Sequence, residues 1–191
     1  NLFKKVQLKQ EEDLVAFKKA KFDLKKRMQI LNEMLNQRMH AATSMPYDKW
    51  LETHQPFHWL AEFYQIIKGN GGFDVIIGNP PYVVYTKKNK DTNTAVSDIY
   101  VVRCQTRQCN NLYAFCIERS CNLASKKSSV GMIVPISAFS NNNMVSLQKL
   151  MRVNFNNIYI STYHQRPAQL FVGVLQRLSI FITNNYNNTD S

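Results

Sequence analysis

One short segment constrains this chain more than any other. Phe73-Asp74-Val75-Ile76-Ile77-Gly78 runs without a break into Asn79-Pro80-Pro81-Tyr82. A brief, continuous apolar run is the pattern of a strand buried on both faces of a parallel sheet. Gly69-Asn70-Gly71-Gly72 supplies the turn that leads into it. Two successive prolines carry no N–H for a ladder, so the strand ends at Gly78. The tetrapeptide therefore sits at the carboxyl end of a strand, where open α/β sheets bind ligands.

The remaining elements follow from hydrophobic spacing. Residues 8–40 contain no Pro or Gly and read as one long helix. Its apolar stripe is Leu14, Phe17, Leu24, Met28, Leu31 and Leu35, and Lys18, Lys19, Lys25 and Lys26 form a solvated face. Residues 41–56, with Ser44, Pro46 and Pro56, read as loop, and Phe57 to Tyr64 is rich in aromatics. Asn110–Lys127 reads as a helix, Val130–Pro135 as a second buried strand and Met144–Val153 as another helix. Ile158–Ile160 and Leu178–Ile182 are later strands, and the Asn-rich tail from Asn184 is expected to be loose. This order argues for an α/β sheet.

Composition narrows the function classes. No apolar run approaches the roughly 18 residues of a membrane span. The chain starts at Asn1 with no basic-then-apolar leader, so a secretory signal is not expected and a piece of a larger protein is. The 191 residues carry a net charge of +11, which points to nucleic acid or another anionic surface. That charge is uneven: residues 51–100, around the tetrapeptide, sum to −1. Cys104, Cys109, Cys116 and Cys121 lack the spacing of a zinc knuckle and are expected to be reduced thiols, with no metal.

The tetrapeptide carries the chemistry. An Asn-Pro turn that stops a strand is the plain structural reading. All four residues together should arise by chance in roughly one chain per thousand of this length. An exocyclic amine on a base or amide is a poor nucleophile, because its lone pair is delocalised. Two acceptors on its N–H groups hold it and favour a pyramidal nitrogen. The Asn79 side-chain oxygen can be one and the Pro80 carbonyl the other. Tyr82 offers a flat face for a flipped base, worth about 1–3 kcal/mol of stacking.

The stretch Gly71 to Val83 resembles the catalytic motif of N6-adenine DNA methyltransferases. More narrowly, it resembles the methylase portion of bacterial type II restriction–modification enzymes. Phe57-His58-Trp59 with Glu62-Phe63, Asn111 to Phe115 with Ile117-Glu118-Arg119, Val130 to Pro135, and Arg166-Pro167 with Leu170-Phe171 match further elements in the same order. The resemblance implies that Asn79, Pro80, Pro81 and Tyr82 are catalytic and that Phe171 is a second stacking aromatic. Tyr113 would line the cofactor side, although packing is the simpler reading. Lys87, Lys88 and Lys90 would contact DNA phosphates, or would form a solvated loop. His58 and His164 are read as structural.

The family's S-adenosylmethionine loop and its acidic ribose partner are not seen upstream of Asn79. The glycines at 69–72 precede a strand and do not open a helix. The resemblance thus implies the C-terminal half of a Rossmann-like methyltransferase sheet, strands four to seven, preceded by a long helix. The expected division is a long helix and linker over 1–56, the catalytic half over 57–183 and a flexible tail over 184–191. The expected partners are double-stranded DNA, the missing N-terminal cofactor-binding region and the target-recognition domain. Self-association is also expected, through an apolar edge beside residues 73–78. The expected location is the bacterial cytoplasm, at the nucleoid, with no membrane. Alone, the chain is expected neither to bind S-adenosylmethionine usefully nor to methylate DNA. Two alternatives stay open: methylation of a glutamine amide in protein or a guanine amine in RNA, and a non-catalytic remnant that binds DNA or a subunit.

Overall fold

The computed structural model describes residues 11–41, 43–84, 104–164, 170–171 and 175–185. They divide into two units, one up to Tyr64 and one from Gln65 onward.

In the first unit α1 spans Glu11–His40, α2 Tyr47–His54 and α3 Trp59–Glu62. With no Pro or Gly to interrupt it, α1 runs for 30 residues. Pro46 stands at the start of α2, and Gln55 ends it in a left-handed conformation, φ 40°. Trp50 is buried here, its ring stacked on His54 at 5.4 Å and lying 6.1 Å from Tyr47. Polar pairs tie α1 to the α3 region: Asn32 Nδ2 donates to Glu62 Oε1 at 2.9 Å, and His58 Nε2 lies 2.7 Å from Asn36 Oδ1. Lys18, Lys19, Lys25 and Lys26 are exposed, as their spacing implies. The apolar stripe is only half-used: Phe17, Met28 and Leu35 are half-buried, and Leu14, Leu24 and Leu31 are exposed.

Among its described residues the second unit is a four-stranded sheet with helices. In chain order it holds β1 (Phe73–Gly78), α4 (Leu112–Leu123), β2 (Ala124–Pro135), α5 (Ser137–Ser140), α6 (Val145–Asn154), β3 (Asn157–Tyr163) and β4 (Leu178–Asn184). The spatial order is β1-β2-β4-β3. β1 and β2 are parallel and joined through α4, while β4 runs antiparallel to both its neighbours. The core is one cluster in which Tyr113, Ala114 and Ile117 of α4 meet Val130, Met132 and Val134 of β2, Leu147 and Met151 of α6, and Phe181 of β4. The residues on β2 alternate, so one face of the strand supplies them all. Gly72 shows how closely β1 enters. At φ 131° an added Cβ would lie 2.6 Å from the Leu123 carbonyl oxygen and 2.7 Å from Ser125 N, so only glycine lets β1 reach β2.

Four expectations need correction. Residues 47–54, read as part of a loop, form α2, because Pro46 stands only at its start and no Pro or Gly falls within it. The helix read over 110–127 ends at Leu123, and Ala124–Lys127 instead open β2, with Ala124 paired to Phe73. Their polar composition favours neither state, and pairing with β1 decides it. β4 continues to Asn184, where the sequence places the start of a tail. Asn157 Nδ2 donates to its side chain at 2.9 Å, which holds the strand end. Finally, β1 is not buried on both faces. Among the described residues it is an edge strand, with Val75 64% and Ile77 81% exposed.

Candidate functional site

The ladder between β1 and β2 ends at Gly78 and Met132. Beyond it Pro80 and Pro81 have no N–H to offer, so the ladder does not continue. The Ile133 carbonyl, next along β2, lies 3.0 Å from the Tyr82 hydroxyl. That hydroxyl also donates to Asn79 Oδ1 at 2.6 Å. Asn79 is exposed, Pro80 buried and Tyr82 half-buried. The far side of the motif is pinned as well: Leu112 N donates to the Val83 carbonyl at 3.0 Å, and Val84 bridges to Asn111. The tetrapeptide is thus held between the end of β2 and the start of α4.

Tyr113 stands behind Tyr82. Their rings meet edge to face, centroids 6.5 Å apart at 81°. Tyr113 is a core side chain, 1% exposed, with its hydroxyl 3.4 Å from both Ser137 Oγ and Met144 Sδ. Burial raises the pKa of both tyrosines, and for Tyr113 the Ser137 hydrogen bond opposes that rise. Tyr82 therefore remains a protonated donor across the neutral range.

The turn before α4 is fixed by a residue that the sequence did not single out for this task. Glu118 is buried, and its carboxylate accepts the Gln105 and Thr106 N–H groups at 2.9 and 2.8 Å. It also accepts the Thr106 hydroxyl at 2.7 Å. These bonds clamp the turn Gln105–Cys109 onto α4. The Ile133 carbonyl was equally beyond sequence reading, because a main-chain acceptor has no residue-type signal.

Of the other candidate positions, Lys87, Lys88 and Lys90 lie outside the described residues, as do Arg166 and Pro167. Phe171 is 40% exposed in the second unit. His58 bonds within the first unit, and burial lowers its pKa against the nearby Glu62 carboxylate, which raises it. None of the four cysteines is in a disulfide; burial raises the pKa of Cys104, Cys116 and Cys121, the last to about 12. No three His, Cys, Asp or Glu side chains among the described residues are grouped to hold a metal. No described helix is long and apolar enough to cross a membrane.

An exposed carboxamide beside a partly exposed ring, at the carboxyl end of a parallel strand, is suited to a planar group bearing N–H. RM.MjaORFECS2P of Methanocaldococcus jannaschii, provisionally assigned as a type II restriction enzyme and methyltransferase, is 32% identical over 147 residues. That match covers 74% of this chain and 11% of the relative, so the chain spans about a ninth of that protein's length. The fold is similar to that of a nuclease-deletion mutant of the Type ISP restriction–modification enzyme LlaGI, solved with a DNA substrate mimic. The TM-score is 0.51 at 17% identity, over 69% of this chain and 15% of that one. The family profile of the Eco57I restriction-modification methylase matches residues 3–171, and the chain belongs to that family.

Proposed function

We propose that this chain is the acceptor-side half of a site-specific DNA adenine-N6 methyltransferase of a type II restriction–modification system. The observation that carries the reading is Asn79, exposed at the carboxyl end of β1 with the Tyr82 ring beside it. In this reading residues 57–183 form the catalytic half of a Rossmann-like domain, behind a helical segment over 1–56 and ahead of a tail over 184–191. The four strands support it, being as many as strands four to seven of such a sheet. Asn79 Oδ1 and the Pro80 carbonyl accept the two N–H groups of a flipped adenine, and Pro81 helps fix the backbone between them. The Tyr82 ring stacks on the base, with Phe171 as its second aromatic. Lys87, Lys88 and Lys90 hold flanking phosphates of double-stranded DNA, in the cytoplasm at the nucleoid.

The methyl donor for such a transfer is S-adenosylmethionine. The described residues do not fit it. Gly72 is packed against the backbone of Leu123 to Ser125 and leads into a strand, and Tyr113 is closed within the core. A cofactor-binding region and a target-recognition domain elsewhere in the natural protein complete the site. The same lack of a cradle is what favours the alternative, a non-catalytic remnant that binds DNA or a subunit. Taken alone, the 191 residues associate with themselves through the exposed side chains of β1 and its neighbours.

The test uses the natural full-length protein, tritiated S-adenosylmethionine and genomic DNA from a host free of adenine methylation. Asn79→Ala should reduce methyl transfer by about a hundredfold or more, the scale of losing one preorganised hydrogen-bonding group at the reacting atom, with cofactor affinity unchanged. Normal transfer by this variant would end the reading. Label arriving on protein or RNA instead of DNA would transfer it to the alternative substrates.

A further inference from the structure

The segment that carries Asn79 and Tyr82 is fastened directly behind Tyr82, where Leu112 N donates to the Val83 carbonyl at 3.0 Å and Val84 bridges to Asn111. The place of Tyr82 therefore depends on where α4 begins. Asn111, at that point, makes no side-chain cap to its own helix. Asn110, one residue earlier, is left-handed at φ 47°, a conformation that few residues besides glycine and asparagine take readily. Its N–H donates to the Arg107 carbonyl at 3.2 Å, so the path into the helix is set by the turn Gln105–Cys109. Three donors of that turn end on one group. Glu118, further along α4, accepts Gln105 N at Oε1, 2.9 Å, and takes the N–H and the hydroxyl of Thr106 at Oε2, 2.8 and 2.7 Å. The other side of the turn rests on α6, with Cys109 Sγ 3.2 Å from Ser146 Oγ.

Holding a turn against a helix does not call for a carboxylate. Apolar packing does so without the desolvation that a buried charge costs. What a carboxylate adds is direction. Hydrogen bonds to a charged acceptor are roughly twice as strong as neutral ones and weaken steeply with misalignment. Glu118 is 5% exposed and both of its oxygens are engaged. The backbone of Gln105 and Thr106 is thereby fixed to hydrogen-bond tolerance, and through Asn110 and Asn111 so is the start of α4.

We propose that Glu118 is a positioning residue for the acceptor tetrapeptide. Its carboxylate fixes the turn that sets the start of α4, and α4 holds Val83 and Val84 so that Asn79 and Tyr82 stand where the target amine meets them. The inference rests on the methyltransferase reading above and adds to it a residue that acts only through the backbone.

Single-turnover methyl transfer by the natural full-length protein, to the same unmethylated genomic DNA, tests it. The amplitude counts folded enzyme, and the rate constant reports the placement of the reacting groups. Glu118→Gln keeps the size of the side chain but removes the charge and one acceptor, setting a donating end against the donors of the turn. The rate constant at saturating cofactor and DNA should fall about tenfold, since a displacement of about 1 Å at a reacting group costs up to about a hundredfold. Cofactor affinity should not change. Phe155→Ala is the control for lost stability alone, because Phe155 is buried between α6 and β3, toward the end of the sheet where β2 begins. It should lower the amplitude on warming and leave the rate constant within about twofold of the unaltered protein's. A Glu118→Gln rate constant lowered no more than that of Phe155→Ala overturns the proposal, whatever the amplitude. Should Glu118→Gln yield no folded protein, Glu118→Asp decides, because it keeps the charge and draws both oxygens back by one methylene. Slowing by about threefold or more supports the proposal, and a smaller change overturns it. The two failures are distinguishable. Normal transfer by Asn79→Ala sinks the methyltransferase reading and this inference with it, whereas an inactive Asn79→Ala beside an undiminished Glu118→Gln rate sinks only the positioning role.

Discussion

On one face of the sheet Val130, Met132, Val134 and Phe181 are buried among side chains of α4 and α6. On the other, Ile77, Gly131, Ile182 and Tyr159 form one row across all four strands, and its three side chains are exposed. Both faces carry aliphatic and aromatic residues, so composition does not separate them. Among the described residues of this unit, what separates them is whether a second layer is present. Apolar character states what a side chain gains from burial; only a neighbouring element delivers the gain. The difference also accounts for the failed expectation about β1. A strand read as buried on both faces carries the right residues for it, yet only Ile76 packs against the core cluster.

The largest effect that could break this comparison lies on the covered face. Leu147→Ala should cost about 2–5 kcal/mol of unfolding free energy, because Leu147 is fully buried between elements that cannot close the gap. Urea denaturation measures it, and a loss below 1 kcal/mol would mean that the face is loosely packed. Next comes an alkaline effect on the same layer. A free thiol ionises near 9, and Cys121 is pushed up to about 12, chiefly by burial and further by the Glu118 carboxylate, against an opposing backbone hydrogen bond. Between those values the unfolded chain releases a proton that the folded chain keeps. Stability therefore falls as pH rises from 9 to 12, and Cys121→Ala should flatten part of that slope. An unchanged slope would show that Cys121 is not desolvated. The smallest effect belongs to the open face: Ile77→Ala should shift stability by no more than about 0.5 kcal/mol. Ile77→Lys should likewise leave stability nearly unchanged while lowering the fluorescence of a dye that reports apolar surface. A loss like that of Leu147→Ala would mean that the open face is covered after all.

Much of the site was legible in the chain itself. Residues 73–78 must form a strand because they are a short apolar run after a glycine turn, and Pro80 and Pro81 must end it because they have no N–H. Asn79 and Tyr82 then fall at a carboxyl end whatever the rest of the fold. The switch from α4 to β2 at Ala124 was not legible, because serines and lysines have weak preferences and β1 supplied the missing reason. The Glu118 clamp was hidden for a related cause: a carboxylate on a helix does not announce which backbone N–H groups will be delivered to it.

Local covalent chemistry acts over a few residues, and so the sequence by itself determined the long α1, the end of β1 and the acceptor groups of the tetrapeptide. The order β1-β2-β4-β3, the sheet face that the described residues leave open and the meeting of Tyr82 with Ile133, 51 residues away, were decided by the tertiary structure alone. Those depend on which distant groups share a hydrogen bond or exclude water from one another, and no pattern confined to neighbouring residues records that.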